Sequence, residues 1–371
     1  MARRKTNLLS RLSFAAALVL AGGATVLACG SPFVSQGQVT SLRVFGVKVD
    51  HPYAPPGIGV KLEMLMFDGS KRAYLPSGEP DPNHHVQILW IGGCHDPPGD
   101  LYYNCYPILA ELFKNVDPSK LSLATLPPEV VMNVGVGTTF STTIPGDIVS
   151  RRPPPANGNH AYGVSYVFFA VCGGKLGAPA PGAPTAFPLG CYDEATGAAL
   201  GADDFVLGYT PIYSYETITN ENPVLDVGTF RGKPSMNQPC SADSACGADA
   251  KCGKSGLCIP VVAHCTAPKV KDCPTVELKP TVTRASAELD LAAPPGNGAT
   301  PQEILWVAYY ASDGVLTEEL RLVNDATKGW NEDYGTSWSA PNAPAGEARI
   351  WAVVHDNRGG TAWWWQDVFV N

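Results

Sequence analysis

The sequence predicts an all-β chain, built as two β-sandwiches joined by a disulfide-rich, loop-dominated segment. Three observations predict it. Apolar residues recur with a period of two in short runs bounded by glycine and proline. Gly (38) and Pro (34) are abundant while charged residues make up only 16%, so turns are many and long solvated helices few. Six cysteines crowd between Cys240 and Cys273 with little apolar content among them, which marks a segment held by crosslinks rather than by a core.

The elements follow in chain order. A first strand is expected at 41–49, rich in β-branched and apolar residues. At 60–67, Val60, Leu62, Met64 and Met66 share one face and Lys61 and Glu63 the other. A strand at 86–91 carries Trp90. Another at 162–172 puts Tyr162, Val164, Tyr166, Phe168, Ala170 and Cys172 on a single face. A strand at 205–215 closes this series. Only 106–114 has helical spacing, with Ile108, Leu109 and Leu112 on one side, and is expected as a helical loop between strands. Beyond the cysteine cluster, strands are expected at 276–284, 304–312, 320–323, 348–356 and 362–370. The last two flank Asn357-Arg358-Gly359-Gly360, a hairpin turn.

Two short matches recur in the same order. Gln87-Ile88-Leu89-Trp90-Ile91 parallels Glu303-Ile304-Leu305-Trp306-Val307, and Phe169-Ala170-Val171-Cys172 parallels Trp351-Ala352-Val353-Val354. Together they favour a duplicated sandwich. The stretch from Gly346 to Gly360, ending Asp356-Asn357-Arg358-Gly359-Gly360, resembles the last hairpin of bacterial Ig-like and PKD-like domains. The likeness covers roughly the last hundred residues and, through the repeat, extends to the first region. It implies two-sheet sandwiches of a kind that mostly bind, space or stick rather than catalyse.

At the N-terminus, Arg3, Arg4, Lys5 and Arg11 precede an apolar run, 12–28, that holds no charge. This is the secretory pattern, and the run is short for a membrane span. It ends in Val26-Leu27-Ala28-Cys29, which resembles the lipobox of bacterial lipoproteins. The resemblance implies cleavage before Cys29, lipid on Cys29, and, with Gly30 rather than Asp following, an outer-membrane lipoprotein at the cell surface or periplasmic face. The cysteine count agrees: of 11, one is Cys29 and the rest form an even set suited to disulfides outside the cytosol. The expected organisation is a signal peptide (1–28), a lipid-anchored tether (29–39), an elaborated sandwich (40–235), a Cys-rich connector (236–275) and an Ig-like or PKD-like sandwich (276–371).

The cluster Cys240, Cys246, Cys252, Cys258, Cys265 and Cys273 has no pair at the close spacing of zinc sites. Three disulfides of open connectivity are expected. Two local bonds, Cys94 with Cys105 and Cys172 with Cys191, are expected too, a cross-sheet Cys94–Cys172 bond being the alternative. His84, His85, Cys94, His95 and Asp96 are read as a polar loop beside a disulfide. Asp313, Asp325, Asp333 and Asp356 are read as turn residues, without calcium-loop spacing. No metal and no cofactor are expected.

Gly-x-Ser-x-Gly, Ser-x-x-Lys, His-Glu-x-x-His and a glycine-rich phosphate loop are all missing from the sequence. No catalytic residue is assigned, and no enzyme is expected. The net charge of −8 and the lack of a basic stripe argue against nucleic acid. The sharpest binding candidate is Trp363-Trp364-Trp365, with Trp363 and Trp365 on one strand face and Trp364 on the other. The leading expectation is a non-enzymatic, lipid-anchored envelope protein for surface adhesion or structural display. Its partners would be the membrane, through the anchor, and envelope polysaccharide or protein. One alternative is carbohydrate binding by the tryptophan strand. Another is a hydrolase or its accessory subunit, with a site at His95 and Asp96.

Overall fold

The most apolar run in the chain, Gly163–Cys172, is buried at every position. A strand buried on both faces must lie between two layers, and the architecture of the N-terminal half follows from that. In a computed structural model, the residues described are 35–113, 133–153, 159–179, 187–226, 228–234, 238–293, 300–344 and 346–371. The signal-like run and Cys29 lie outside them.

Strands β1 (Leu42–Val49), β2 (Gly59–Asp68) and β5 (Thr139–Thr143) form one antiparallel sheet. Strands β4 (Val134–Val136), β3 (Gln87–His95), β6 (Gly163–Cys172) and β9 (Phe205–Ser214) form a second. Between them Leu42, Leu62, Trp90, Phe140, Phe169 and Ile212 make a core. The opposite face of the second sheet is covered by helix α1 (Tyr106–Phe113) and the hairpin of β7 (Lys175–Gly177) with β8 (Gly190–Tyr192). Val164, Tyr166, Phe168, Ala170 and Cys172 face this cover, and Leu109 and Leu189 meet them. Disulfides Cys94–Cys105 and Cys172–Cys191 tie the cover to β3 and β6. Strand β9 lies at the sheet edge, where Pro211, which has no N–H to donate, is tolerated.

The second sandwich pairs a five-stranded with a seven-stranded sheet. The smaller holds β10 (Thr229–Phe230), β11 (Lys233–Pro234), β14 (Thr275–Lys279), β16 (Val315–Leu316) and β19 (Thr336–Ser339). The larger holds β12 (Ala250–Cys252), β13 (Cys258–Val262), β15 (Leu305–Ala311), β17 (Leu320–Asp325), β18 (Gly329–Trp330), β20 (Gly346–Asp356) and β21 (Thr361–Val370). Tyr309, Trp338, Ile350, Trp364 and Val368 fill the space between them. Buried indoles are satisfied at Trp90, which donates to the Gly137 carbonyl at 2.8 Å, and at Trp338, which donates to that of Asp313 at 2.9 Å. The cysteine-rich segment contributes two of these strands. Its β13 runs parallel to β21, with Val262 opposite Val370. Its bonds are Cys240–Cys252, Cys246–Cys258 and Cys265–Cys273.

The sandwiches meet face to face. Phe45, Leu65 and Phe67 from the β1–β2 sheet pack on Tyr310, Trp351, Val353 and Trp363 of the seven-stranded sheet. The approach is close at Gly46, where β1 carries a bulge. A Cβ there would lie 3.0 Å from Thr361 Cγ2. Among the described residues, no helix is long and apolar enough to cross a membrane.

The two sequence matches fall on corresponding strand pairs, since β3 pairs with β6 and β15 with β20. The registers differ, however. Leu89 lies opposite Ala170, whereas Leu305 lies opposite Asp356 rather than Ala352. Trp90 faces its partner sheet in the first sandwich, while Trp306 turns away from its own and stacks on His355.

Candidate functional site

Among the described residues, polar side chains gather in several places, two of which surround His95 and Trp363. The first is the end of β3. The chain leaves His95 through left-handed backbone at Asp96 (φ 47°) and Asp100 (φ 56°), a conformation that aspartate tolerates better than most residues. The Asp96 carboxylate accepts the Val164 N–H at 2.9 Å and the Nε of Arg151 and Arg152, each at 2.8 Å. Asp100 accepts from Arg152 and, at 2.7 Å, from the Tyr162 hydroxyl. Burial pulls its carboxyl up, but these two donors outweigh burial and hold it below the usual range. His95 Nδ1 is 2.8 Å from Ser165 Oγ. Burial, helped by Arg151, lowers the imidazole. Ser165 is only 1% exposed, so its hydroxyl is closed to any substrate. The arrangement clamps the loop of the Cys94–Cys105 disulfide onto β6, with each acid committed to a donor.

His84 and His85 line a pocket of their own with Arg72, Asp81 and Asp193. His84 Nε2 lies 2.7 Å from Asp68 Oδ2, and Cys94 is in its disulfide. Asp325 caps a turn, taking the N–H groups of Thr327 and Lys328. Those bonds, the Thr327 hydroxyl foremost, bring its carboxyl down to about 2. Asp313 takes the Gly314 N–H, Asp333 pairs with Arg321, and Asp356 takes the N–H groups of Arg358 and Gly360. Among the described residues, the one histidine, cysteine or acid cluster tight enough for a cation is Cys240, Cys246 and Cys258, whose sulfurs are in disulfides.

The second place surrounds the tryptophan run. Trp364 faces the core at 8% exposure, with the backbone of Gly228 lying on its ring, where a Cβ would come within 2.4 Å. Trp365 is 45% exposed. Trp363 turns to the junction of the sandwiches and walls a groove of about 550 Å³. Lys48, Asp50 and Glu63 reach it from the first sandwich, and Glu221 and Asn222 from the linking segment. Asn222 fixes that segment to both sides. Its Nδ2 donates to the Val49 carbonyl at 2.7 Å, and its Oδ1 accepts the Thr361 N–H at 2.9 Å. The tryptophan run marked one wall of this groove in the sequence. Its charged wall comes from segments far apart in the chain, and no local motif announces it.

Beside the groove, the turn after β20 buries a charge. The Arg358 side chain is 2% exposed and meets the fully buried carboxylate of Glu303, as well as Glu288 at 2.8 Å. Its guanidinium also lies 5.3 Å from the Tyr53 ring of the first sandwich.

No protein-family model matches the chain, and no curated protein matches it. Among solved structures it is similar, at 10% identity and a TM-score of 0.17, to the three N-terminal domains of the bacteriophage RB49 Highly Immunogenic Outer Capsid protein, over 89% of this chain and 70% of that one. Dimeric latent PorU from Porphyromonas gingivalis is similar at 11% identity and a TM-score of 0.19, over 92% of this chain and 25% of PorU. Escherichia coli alpha-2-macroglobulin is similar at 10% identity and a TM-score of 0.18, over 92% and 23%. The chain thus spans about a quarter of the length of the last two. Likenesses at these scores carry no functional argument.

Proposed function

We propose that this chain is a lipid-anchored, non-enzymatic protein of the bacterial cell envelope, serving surface adhesion or structural display. The observation that carries the reading is the cysteine pairing. Ten cysteines are joined in five disulfides, and the eleventh, Cys29, closes the lipobox-like run. Disulfides in such number belong to an oxidising compartment. An exported cysteine left without a partner needs another use, and acylation supplies one. The commitment of Asp96, Asp100 and His95 to structural bonds favours display over chemistry.

The test is metabolic labelling with an alkyne fatty acid, followed by protease shaving of intact cells. Cys29→Ser is expected to lose the label; label retained in that variant overturns the anchor. Shaving is expected to remove the protein while a periplasmic control survives. Full protection overturns a role on the outer surface.

A further inference from the structure

We infer that the groove between the sandwiches binds a saccharide bearing free amino groups, with Trp363 as its stacking surface and Glu63, Asp50 and Glu221 as its carboxylate partners. A volume of about 550 Å³ falls within the range of small-ligand clefts, about 300–1,000 Å³. The half-buried indole of Trp363 offers an apolar surface for the C–H face of a pyranose and a negative ring face for an ammonium group.

Charge decides which saccharide. Three carboxylates face one amine, Lys48. Lys48 lies directly across the β1–β2 ladder from Glu63. Neither Glu63 nor Glu221 forms an ion pair among the described residues. A ligand carrying phosphate, sulfate or carboxylate would be repelled there, and one carrying ammonium groups attracted. The carboxylates also accept from sugar hydroxyls, and charge-assisted bonds of this kind are the stronger ones.

The site is also built before any ligand arrives. Asn222 is bonded to both sandwiches, and Gly46 lets the two backbones approach beside it. Little ordering is left for binding to cost. This inference extends the envelope reading to a ligand class without requiring the lipid.

The experiment is isothermal titration of the full chain, in detergent, with a glucosamine tetramer, an N-acetylglucosamine tetramer and a tetralysine peptide. The glucosamine tetramer is expected to bind at least tenfold more tightly than the other two. Trp363→Ala is expected to weaken it at least tenfold. Because Trp363 also packs between the sandwiches, Glu221→Gln, at an exposed position, serves as the second variant. It should weaken binding several-fold with an unchanged melting temperature. Equal binding of the acetylated tetramer overturns the charge assignment. Tighter binding of tetralysine overturns the saccharide assignment in favour of a basic peptide. No binding by a chain that still carries its fatty-acid label overturns the groove and leaves the anchor standing.

Discussion

Phe45 and Tyr310 stack with ring centroids 4.4 Å apart and planes 24° apart, although they belong to different sandwiches. Phe45 also leans on Trp351 at 4.9 Å, and Phe67 reaches the same indole at 4.8 Å. These rings form a small core of their own, separate from the cores inside each sandwich. Phe45→Ala should therefore cost about 3–5 kcal/mol, the range for truncating a buried aromatic. The loss should fall on the junction. Urea unfolding followed by tryptophan fluorescence is expected to change from one transition to two. A single transition at the wild-type midpoint would show that the rings do not couple the halves.

His355 gives the junction a pH dependence. It sits between Trp306, at 5.5 Å, and Thr361, and burial lowers its imidazole to about 4. The unfolded chain, with an ordinary histidine near 6.5, binds the proton more readily than the folded one. Stability from this residue is thus complete above about pH 6.5 and is lost as pH falls toward 4. The loss should reach about 3 kcal/mol at the acid end. His355→Phe should flatten urea midpoints between pH 6.5 and 4.5. An unaltered slope in that variant would assign the acid lability elsewhere.

Arg358 and Glu303 are each almost wholly out of water. Removing one partner strands the other charge. Arg358→Met is expected to destabilise by about 3–5 kcal/mol, while Arg358→Met combined with Glu303→Leu should recover most of it. Chemical denaturation of the wild type, both single variants and the double variant measures the coupling. Additive losses would show that the two groups act independently.

The Cys94–Cys105 bond spans 11 residues and links β3 to the cover of the first sandwich, buried at both ends. Its removal as Cys94→Ala with Cys105→Ala should cost about 3 kcal/mol, chiefly by freeing the unfolded chain. With the junction intact the two halves unfold together, so the melting temperature of the single transition should fall. An unchanged melting temperature would show that the bonds of Asp96 and Asp100 hold the loop without the disulfide.

The long strands were legible because their side-chain alternation is a local property. Val164, Tyr166, Phe168, Ala170 and Cys172 do share a layer, whereas Tyr162 precedes the strand and packs against Tyr215, and the helix falls at Tyr106–Phe113. Pieces such as Val315–Leu316 and Thr336–Ser339 have too few residues to show a period, and only pairing with distant strands makes them sheet. The place of the cysteine-rich segment was hidden for the same reason. Val261 and Val262 become sheet by lying beside Phe369 and Val370, more than a hundred residues away. The repeat was visible as letters but not as register, because pairing depends on where each strand's neighbour stops. Of the groove, Trp363 stood out by its neighbours in sequence. Asp50, Glu63 and Glu221 look like ordinary solvated acids until the fold brings them together.

Gly37 and Val39, just before β1, bond to the second sandwich. Ala311, on a strand of the second, donates to the Gly37 carbonyl at 2.8 Å and accepts the Val39 N–H at 3.0 Å. The last residue, Asn371, bonds to Val262 and His264 on that same sandwich. Gly37 and Asn371 thus both bond to one half, and the other is a detour of the chain between them. Tension applied between Gly37 and Asn371 would run first through β15, β20 and β21, bypassing the N-terminal half until the short bridge at Ala311 gives way. Under mechanical load the two sandwiches would be strained in succession, with that bridge as the first link to yield.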